Sequence, residues 1–331
     1  MKRLLPIVFA SLVAAHAWAA PTEPDPARLK LGSANALVID ADSERPVYEK
    51  AADEVTPIAS VTKLMTAMVV LDAKQPLDQP IEIDKDDIDY LKNTTSRLGM
   101  GTTLSRREML RLALMSSENR AASALARYYP GGKEAAVAAM NAKAAELGMT
   151  HTHYSDPTGL SPQNVSTAMD LAKLIQVAAN YPLIREFTTT PEHSVELSPT
   201  GRTLGFLNSN ALVRGHSWDI MLQKTGFINE AGHCVVMLVN IASKPFVIVL
   251  LDSFGKYTRF ADANRVRYWL ETGRSLAMGK AKGAQVVKVK NTRAKPRYVA
   301  RAKPRYVARA KPRYVAREKS PYVATASNTP R

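Results

Sequence analysis

Ser60-Val61-Thr62-Lys63, Ser117-Glu118-Asn119 and Lys224-Thr225-Gly226 follow one another along the chain, with the two leading serines and the lysine set 57 and then 107 positions apart. A serine hydroxyl becomes a strong nucleophile only when a neighbour takes its proton. A lysine can take it only where burial or nearby positive charge lowers its pKa. Ser60 and Lys63, one helical turn apart, offer that pair, and Lys224 offers the second cation. A further hydroxyl, Ser117, can hand a proton to a leaving amine, and the amide of Asn119 can orient Lys63 and the substrate's peptide group. Lys224 and Thr225 on one strand edge can hold a carboxylate, while Gly226 lets an extended peptide approach the backbone. The backbone N–H groups of Ser60 and Phe227 are the candidates for an oxyanion hole. The chemistry these residue types support together is acyl transfer through a serine ester.

Two decoys test the pattern. Ser253-Phe254-Gly255-Lys256 also reads Ser-x-x-Lys, and Ser33-Ala34-Asn35 also reads Ser-x-Asn. Setting separates them: Leu64 to Leu71 carries no charge, so the helix that Ser60 and Lys63 begin is apolar nearly all round and must run through a core. No such helix follows Ser253, and a glycine precedes its lysine. His151-Thr152-His153 comes without a carboxylate or cysteine cluster, and no glycine-rich phosphate loop is present, so neither a metal nor a cofactor is expected.

The elements that must position these motifs fall into three stretches. Ala36 to Ile39 reads as a short strand, turning at Asp42 to Pro46 and resuming at Val47-Tyr48 as a hairpin. Helices are predicted from Ser60 to Leu71, from the capping box of Ser105 and Glu108 through Met115, from Asn119 to Arg127, from Lys133 to Leu147, and from Ala168 to Ala178 behind Thr167 and Asp170. Ser117 is a candidate cap for the helix that follows it. After residue 190 the period changes to strands: Val195 to Leu197, Arg202 to Phe206, Ile220 to Phe227, Cys234 to Ile241 and Phe246 to Leu251, with a closing helix from Arg259 to Glu271. An early hairpin, a helical middle and a late run of strands predict the α+β class, an antiparallel sheet with packed helices and a helical subdomain.

Residues 1–19 read as a signal peptide: Lys2 and Arg3, an apolar stretch from Leu4 to Ala15, and Ala17-Trp18-Ala19 as the cleavage pattern. Residues 20–32 read as a linker and 33–278 as the catalytic domain. No later apolar run approaches the roughly 20 residues of a membrane span. Cys234 is the only cysteine of the 331 residues, so no internal disulfide forms and a large core must hold the fold. It is expected as a small buried hydrophobe within a strand.

The formal charge of +15 is confined to one end. From Lys280 onward there are 16 basic residues and a single acid, Glu318, leaving 29 of each sign before it. An eight-residue unit beginning Lys295-Pro296-Arg297-Tyr298 recurs from Lys303 and Lys311 and, degraded, from Lys319. Such copies cannot bury a core, so residues 279–331 read as an extended basic tail suited to anionic envelope surfaces. Export removes nucleic acid as a partner.

With these motifs in hand, the chain resembles the low-molecular-weight penicillin-binding proteins of the D-alanyl-D-alanine peptidase group. The likeness runs from about Ser33 to Glu271, through Ala59-Ser60-Val61-Thr62-Lys63-Leu64-Met65-Thr66-Ala67, Leu114-Met115-Ser116-Ser117-Glu118-Asn119, Asp156-Pro157-Thr158-Gly159-Leu160 and Lys224-Thr225-Gly226-Phe227. The resemblance implies a serine β-lactamase/DD-peptidase-like fold and a periplasmic location. It places the nucleophile, base, proton relay and carboxylate-binding lysine on Ser60, Lys63, Ser117 and Lys224. It also implies a peptidoglycan substrate and β-lactams as covalent inhibitors. A second β-rich domain and a C-terminal amphipathic helix, usual in the group's carboxypeptidases, are absent from the sequence. The expectation is therefore an endopeptidase cutting D-Ala-diaminopimelate cross-links, with a carboxypeptidase trimming pentapeptide stems as the alternative. A class A β-lactamase would need a Glu-x-x-x-Asn pattern between the second and third motifs, where none occurs. A non-catalytic wall-binding protein would have no need of intact motifs.

Overall fold

The computed structural model describes residues 24–277; the expected signal peptide and the repeat-bearing tail lie outside the described residues. A five-stranded antiparallel sheet forms the frame, in the order β2 (Arg45–Lys50), β1 (Ser33–Asp40), β11 (Lys244–Ser253), β10 (Gly232–Ile241) and β9 (Asp219–Ile228). The early hairpin thus pairs directly with the late strands, Leu37 opposite Val249. That pairing joins the two β stretches of the sequence into one sheet across the helical middle.

Between them the chain forms β3 (Thr56–Pro57), α1 (Lys63–Asp72), β4 (Pro80–Glu82), β5 (Thr103–Ser105), α2 (Arg106–Met115), α3 (Asn119–Arg127) and α4 (Gly132–Glu146). There follow β6 (Val165–Ser166), α5 (Ala168–Ala178), α6 (Pro182–Thr189), the hairpin of β7 (Glu192–Leu197) and β8 (Arg202–Leu207), and the short α7 (Ala211–Arg214). After the sheet strands, α8 (Thr258–Thr272) closes the described chain. The N-caps form, with Ser105 Oγ accepting the Glu108 N–H at 3.2 Å and Thr167 Oγ1 that of Asp170 at 3.1 Å, but the box at Ser105 does not close, because the Glu108 carboxylate turns to His193 and Arg111 instead.

The strands of β9, β10 and β11 are apolar on both faces because each face is covered. On one side, α1 and the helices around it form the larger core with Val236, Val247 and Val249. On the other, Ala263, Val266 and Trp269 of α8 pack on Val235, Met237 and Ile248. α1 is buried from Lys63 to Val70, as its chargeless sequence demands. The stretch expected as a linker contributes to the second core: Leu29 and Leu31 are buried there, and Trp269 Nε1 donates to the Asp25 carbonyl at 3.0 Å.

The structure differs from the sequence reading in three local respects. Ser60 lies in a 3-10 turn, Ala59–Thr62, that leads into α1 rather than in the α-helix itself. Ser117 does not cap α3; that position belongs to Glu118, whose carboxylate accepts the Arg120 N–H, while Ser117 adopts a left-handed φ of 63°. α6 is not among the helices predicted from the sequence, although Pro182 stands in its first turn. The same proline is well suited to a helix start.

Candidate active site

The two decoy motifs meet each other, and neither serine hydroxyl bonds to a lysine amine. Ser33 Oγ lies 2.7 Å from Ser253 Oγ and 2.7 Å from Asp262 Oδ2, which also accepts the Ser33 N–H. Asn35 Nδ2 donates to the Ala51 carbonyl at 3.0 Å. These side chains tie β1 to β11 and α8.

The three motifs converge at the outer edge of β9. In a 3-10 turn, residues three apart eclipse one another, and Lys63 Nζ sits 2.8 Å from Ser60 Oγ. The same nitrogen donates to Asn119 Oδ1 at 2.8 Å and to the Thr158 carbonyl at 2.6 Å. Lys224 Nζ donates to Ser117 Oγ at 2.9 Å and to the Thr225 carbonyl at 2.8 Å. Gly226 passes so close to the backbone of Ser60 that an added Cβ would stand 2.9 Å from the Ile58 carbonyl oxygen and 3.1 Å from Ser60 N. Phe227, the next residue, is exposed and stacks on His233 with ring centroids 4.2 Å apart.

Both amines are fully buried, and burial is the main force on each. It pushes Lys63 down to about 8, against the opposing charges of Asp156 and Glu118. Lys224 is held well below the ordinary lysine value by burial, then by the charge of Lys63, then by that of Arg259. The sequence reading offered burial and Lys224 as the two causes that lower Lys63; burial is the cause that dominates, and the charge of Lys63 adds to the burial that lowers Lys224.

Four contributors escaped the sequence reading. The Thr158 carbonyl accepts from Lys63 and, at 3.4 Å, from Ser60 Oγ. A main-chain oxygen leaves no trace in residue type. Ser209 Oγ lies 2.7 Å from Thr225 Oγ1, so the hydroxyl foreseen for a carboxylate has a protein partner. Arg259 is buried, with Nε and Nη1 lacking hydrogen-bond partners among the described residues. Lastly, a cavity of about 240 Å³ reaches Asn119 and Thr158 from the side of Asp86, Tyr90 and Leu91. The sequence marked Arg259 only as a helix start; the other three depend on long-range placement.

A buried serine–lysine pair, a second lysine on a serine and a strand-borne glycine against the nucleophile define a serine acyl-transfer centre. The chain belongs to the D-alanyl-D-alanine carboxypeptidase family, whose sequence profile matches residues 20–255. It is 51% identical over 282 residues to the D-alanyl-D-alanine endopeptidase of Pseudomonas aeruginosa, a match covering 84% of this chain and 91% of that protein. It is 46% identical over 296 residues to the D-alanyl-D-alanine endopeptidase of Escherichia coli K12, covering 87% and 94%. Among solved structures it is similar to the Streptomyces K15 DD-transpeptidase, with a TM-score of 0.68 at 27% identity over 73% of this chain and 98% of that one.

Proposed function

We propose that this protein is a periplasmic serine D-alanyl-D-alanine endopeptidase that cuts D-Ala-diaminopimelate cross-links in peptidoglycan. The observation that carries the reading is the contact of Ser60 Oγ with Lys63 Nζ, 2.8 Å, beside the Lys224–Ser117 contact of 2.9 Å. Extensive identity to two relatives named as endopeptidases favours that leaving group.

Ser60 Oγ attacks the D-alanyl carbonyl carbon as its proton passes to neutral Lys63. The tetrahedral oxyanion sits against the N–H groups of Ser60 and Phe227. Collapse breaks the C–N bond as Ser117 passes its proton to the departing amine and takes up the one that Lys63 removed from Ser60, so both groups end as they began. Water then hydrolyses the acyl-enzyme, releasing the carboxylic acid and restoring the hydroxyl. The carboxylate beside the scissile amine meets Lys224 and Thr225, with the unpartnered guanidinium nitrogens of Arg259 behind them. A β-lactam acylates Ser60 by the same attack, but its amine stays tethered to the acyl group.

In this reading residues 1–19 direct export, 33–278 form the catalytic domain, and the basic tail of 279–331 holds the enzyme to anionic envelope surfaces. The second reading, a carboxypeptidase releasing terminal D-alanine, is favoured by the description of the family itself. Incubating the purified protein and Ser60→Ala with cross-linked and uncross-linked muropeptides separates them. Ser60-dependent loss of dimers is the expected result. Release of D-alanine from pentapeptide monomers with dimers untouched would replace it with the carboxypeptidase.

A further inference from the structure

Lys63 Nζ has three oxygens in hydrogen-bond range: Ser60 Oγ, Asn119 Oδ1 and the Thr158 carbonyl. A protonated amine donates to all three. A neutral amine has two N–H bonds and one lone pair. Asn119 Oδ1 and the Thr158 carbonyl carry no proton, so they can only accept. They take the two N–H bonds, and the lone pair is left facing the one partner that has a proton to give, the Ser60 hydroxyl. The Thr158 carbonyl therefore helps decide where the base points.

That carbonyl is held by a cradle outside all three motifs. Asp156 Oδ1 accepts the Thr158 N–H at 2.6 Å, the Thr158 hydroxyl at 2.5 Å and the Gly159 N–H at 2.8 Å. Asp156 Oδ2 accepts the Ser161 N–H at 2.9 Å. Gly159, at φ +80°, lies so close to the turn bearing the nucleophile that an added Cβ would fall 2.0 Å from the Ala59 carbonyl oxygen. From the other side, Asn164 Oδ1 accepts the Ser155 and Asp156 N–H groups at 2.8 and 3.1 Å, while its amide donates to Thr62 Oγ1 at 3.0 Å. The loop is fastened to its own acid and to the 3-10 turn of Ser60.

We propose that Asp156 is a positioning residue for the acyl transfer: by clamping the 158–161 backbone it fixes the Thr158 carbonyl that aims Lys63 at Ser60. The inference rests on Ser60 and Lys63 being nucleophile and base, and not on which amine leaves. The charged groups facing Lys63 from its neighbours are Asp156 in this loop, Glu118 before α3 and Lys224 on β9, with Arg259 beyond Lys224. The two acids favour the protonated amine. Removing the charge of Asp156 therefore frees the base at lower pH.

The test is the second-order rate of acylation by fluorescent penicillin across pH, normalised to folded protein, for wild type, Asp156→Asn and Thr158→Val. The asparagine keeps an acceptor for Thr158 and Gly159 but loses the charge, so its rate should rise at a lower pH than that of wild type. The valine keeps charge and carbonyl but removes one strut of the cradle, so its plateau should fall at least about tenfold with the inflection unmoved. A wild-type inflection in Asp156→Asn, or a wild-type plateau in Thr158→Val, overturns the proposal. If the asparagine variant is not recovered folded, the valine plateau alone decides. A wild-type protein that takes no label points instead to an error in assigning Ser60 and Lys63.

Discussion

Lys224 Nζ donates a 2.9 Å hydrogen bond to Ser117 Oγ, joining strand β9 to the turn before α3 across 107 residues. Because Lys224 Nζ donates into a lone pair of that oxygen, the hydroxyl proton remains available for a departing amine. Ser117→Ala should lower penicillin acylation by a factor of about 10² to 10⁴, the range that positioned proton transfer supplies. Ser117→Gly should lose as much activity yet be more stable than Ser117→Ala by about 1 kcal/mol, since both lose the acceptor for Lys224 but only glycine relieves the left-handed backbone at φ 63°. Penicillin labelling rates and denaturant unfolding measure the two effects separately. An alanine variant that labels at the wild-type rate removes Ser117 from proton transfer.

How much of this centre was legible in the sequence follows from what each part is made of. Ser60, Lys63, Ser117, Asn119 and Lys224 are chemically distinctive side chains in a fixed order, and the chargeless run after Lys63 announced the buried helix that Lys63 begins, directly behind the turn bearing Ser60. The sheet was legible as a set of strands, but not the pairing of β1 with β11, because register across 200 residues is decided by packing rather than local pattern. The Thr158 carbonyl was invisible because every residue has one. Asp156 belonged to a segment that resembled the family, yet nothing in its spacing tied it to Lys63. Ser117 as a helix cap was wrong for a local reason: its neighbour Glu118 also has an acceptor side chain and takes the position, freeing the serine to turn toward Lys224.

Gly159 and Gly226 both close on the backbone around Ala59 and Ser60. At Gly159 a methyl group would be 2.0 Å from the Ala59 carbonyl oxygen, on a backbone that side chains rarely adopt. Gly159→Ala should destabilise the protein by about 3 kcal/mol. At Gly226 the clash is milder, 2.9 Å to the Ile58 carbonyl oxygen, and φ is ordinary. Gly226→Ala should fold with a loss of about 1 to 2 kcal/mol but cleave muropeptides poorly, because the added methyl pushes the strand from Ser60. Unfolding midpoints that rank the two variants in the opposite order would contradict this geometry.

Cys234 is fully buried on β10, its thiol pushed up to about 11 by burial. Only the thiolate reacts with disulfide reagents, and both access and ionisation are withheld here. At pH 8 an aromatic disulfide reagent should leave the native protein unmodified and titrate one thiol after denaturation. Fast reaction in the native state would mean that the sheet opens at β10.

Burying two amines beside each other costs stability, and the cost has a definite pH signature. Lys63 binds its proton with a pKa of about 8 in the folded protein against an ordinary 10.5, so between those values the unfolded chain holds more protons than the folded one. Stability from this group is therefore lowest below about pH 8 and rises with pH through the window, by about 1.4 kcal/mol per pH unit. Lys224, held well below the ordinary lysine value by burial and then by the charge of Lys63, acts in the same direction. Lys63→Met removes the ionisation while keeping an apolar stem, so near pH 7 it should unfold at higher denaturant than wild type, and its advantage should shrink by pH 10. Acylation runs parallel in wild type, since Ser60 needs the uncharged amine: the rate should climb through about pH 8 and vanish in the methionine variant. Denaturant titrations of the two proteins at several pH values decide it, because a stability difference that stays constant with pH would mean that Lys63 ionises as freely in the fold as in water.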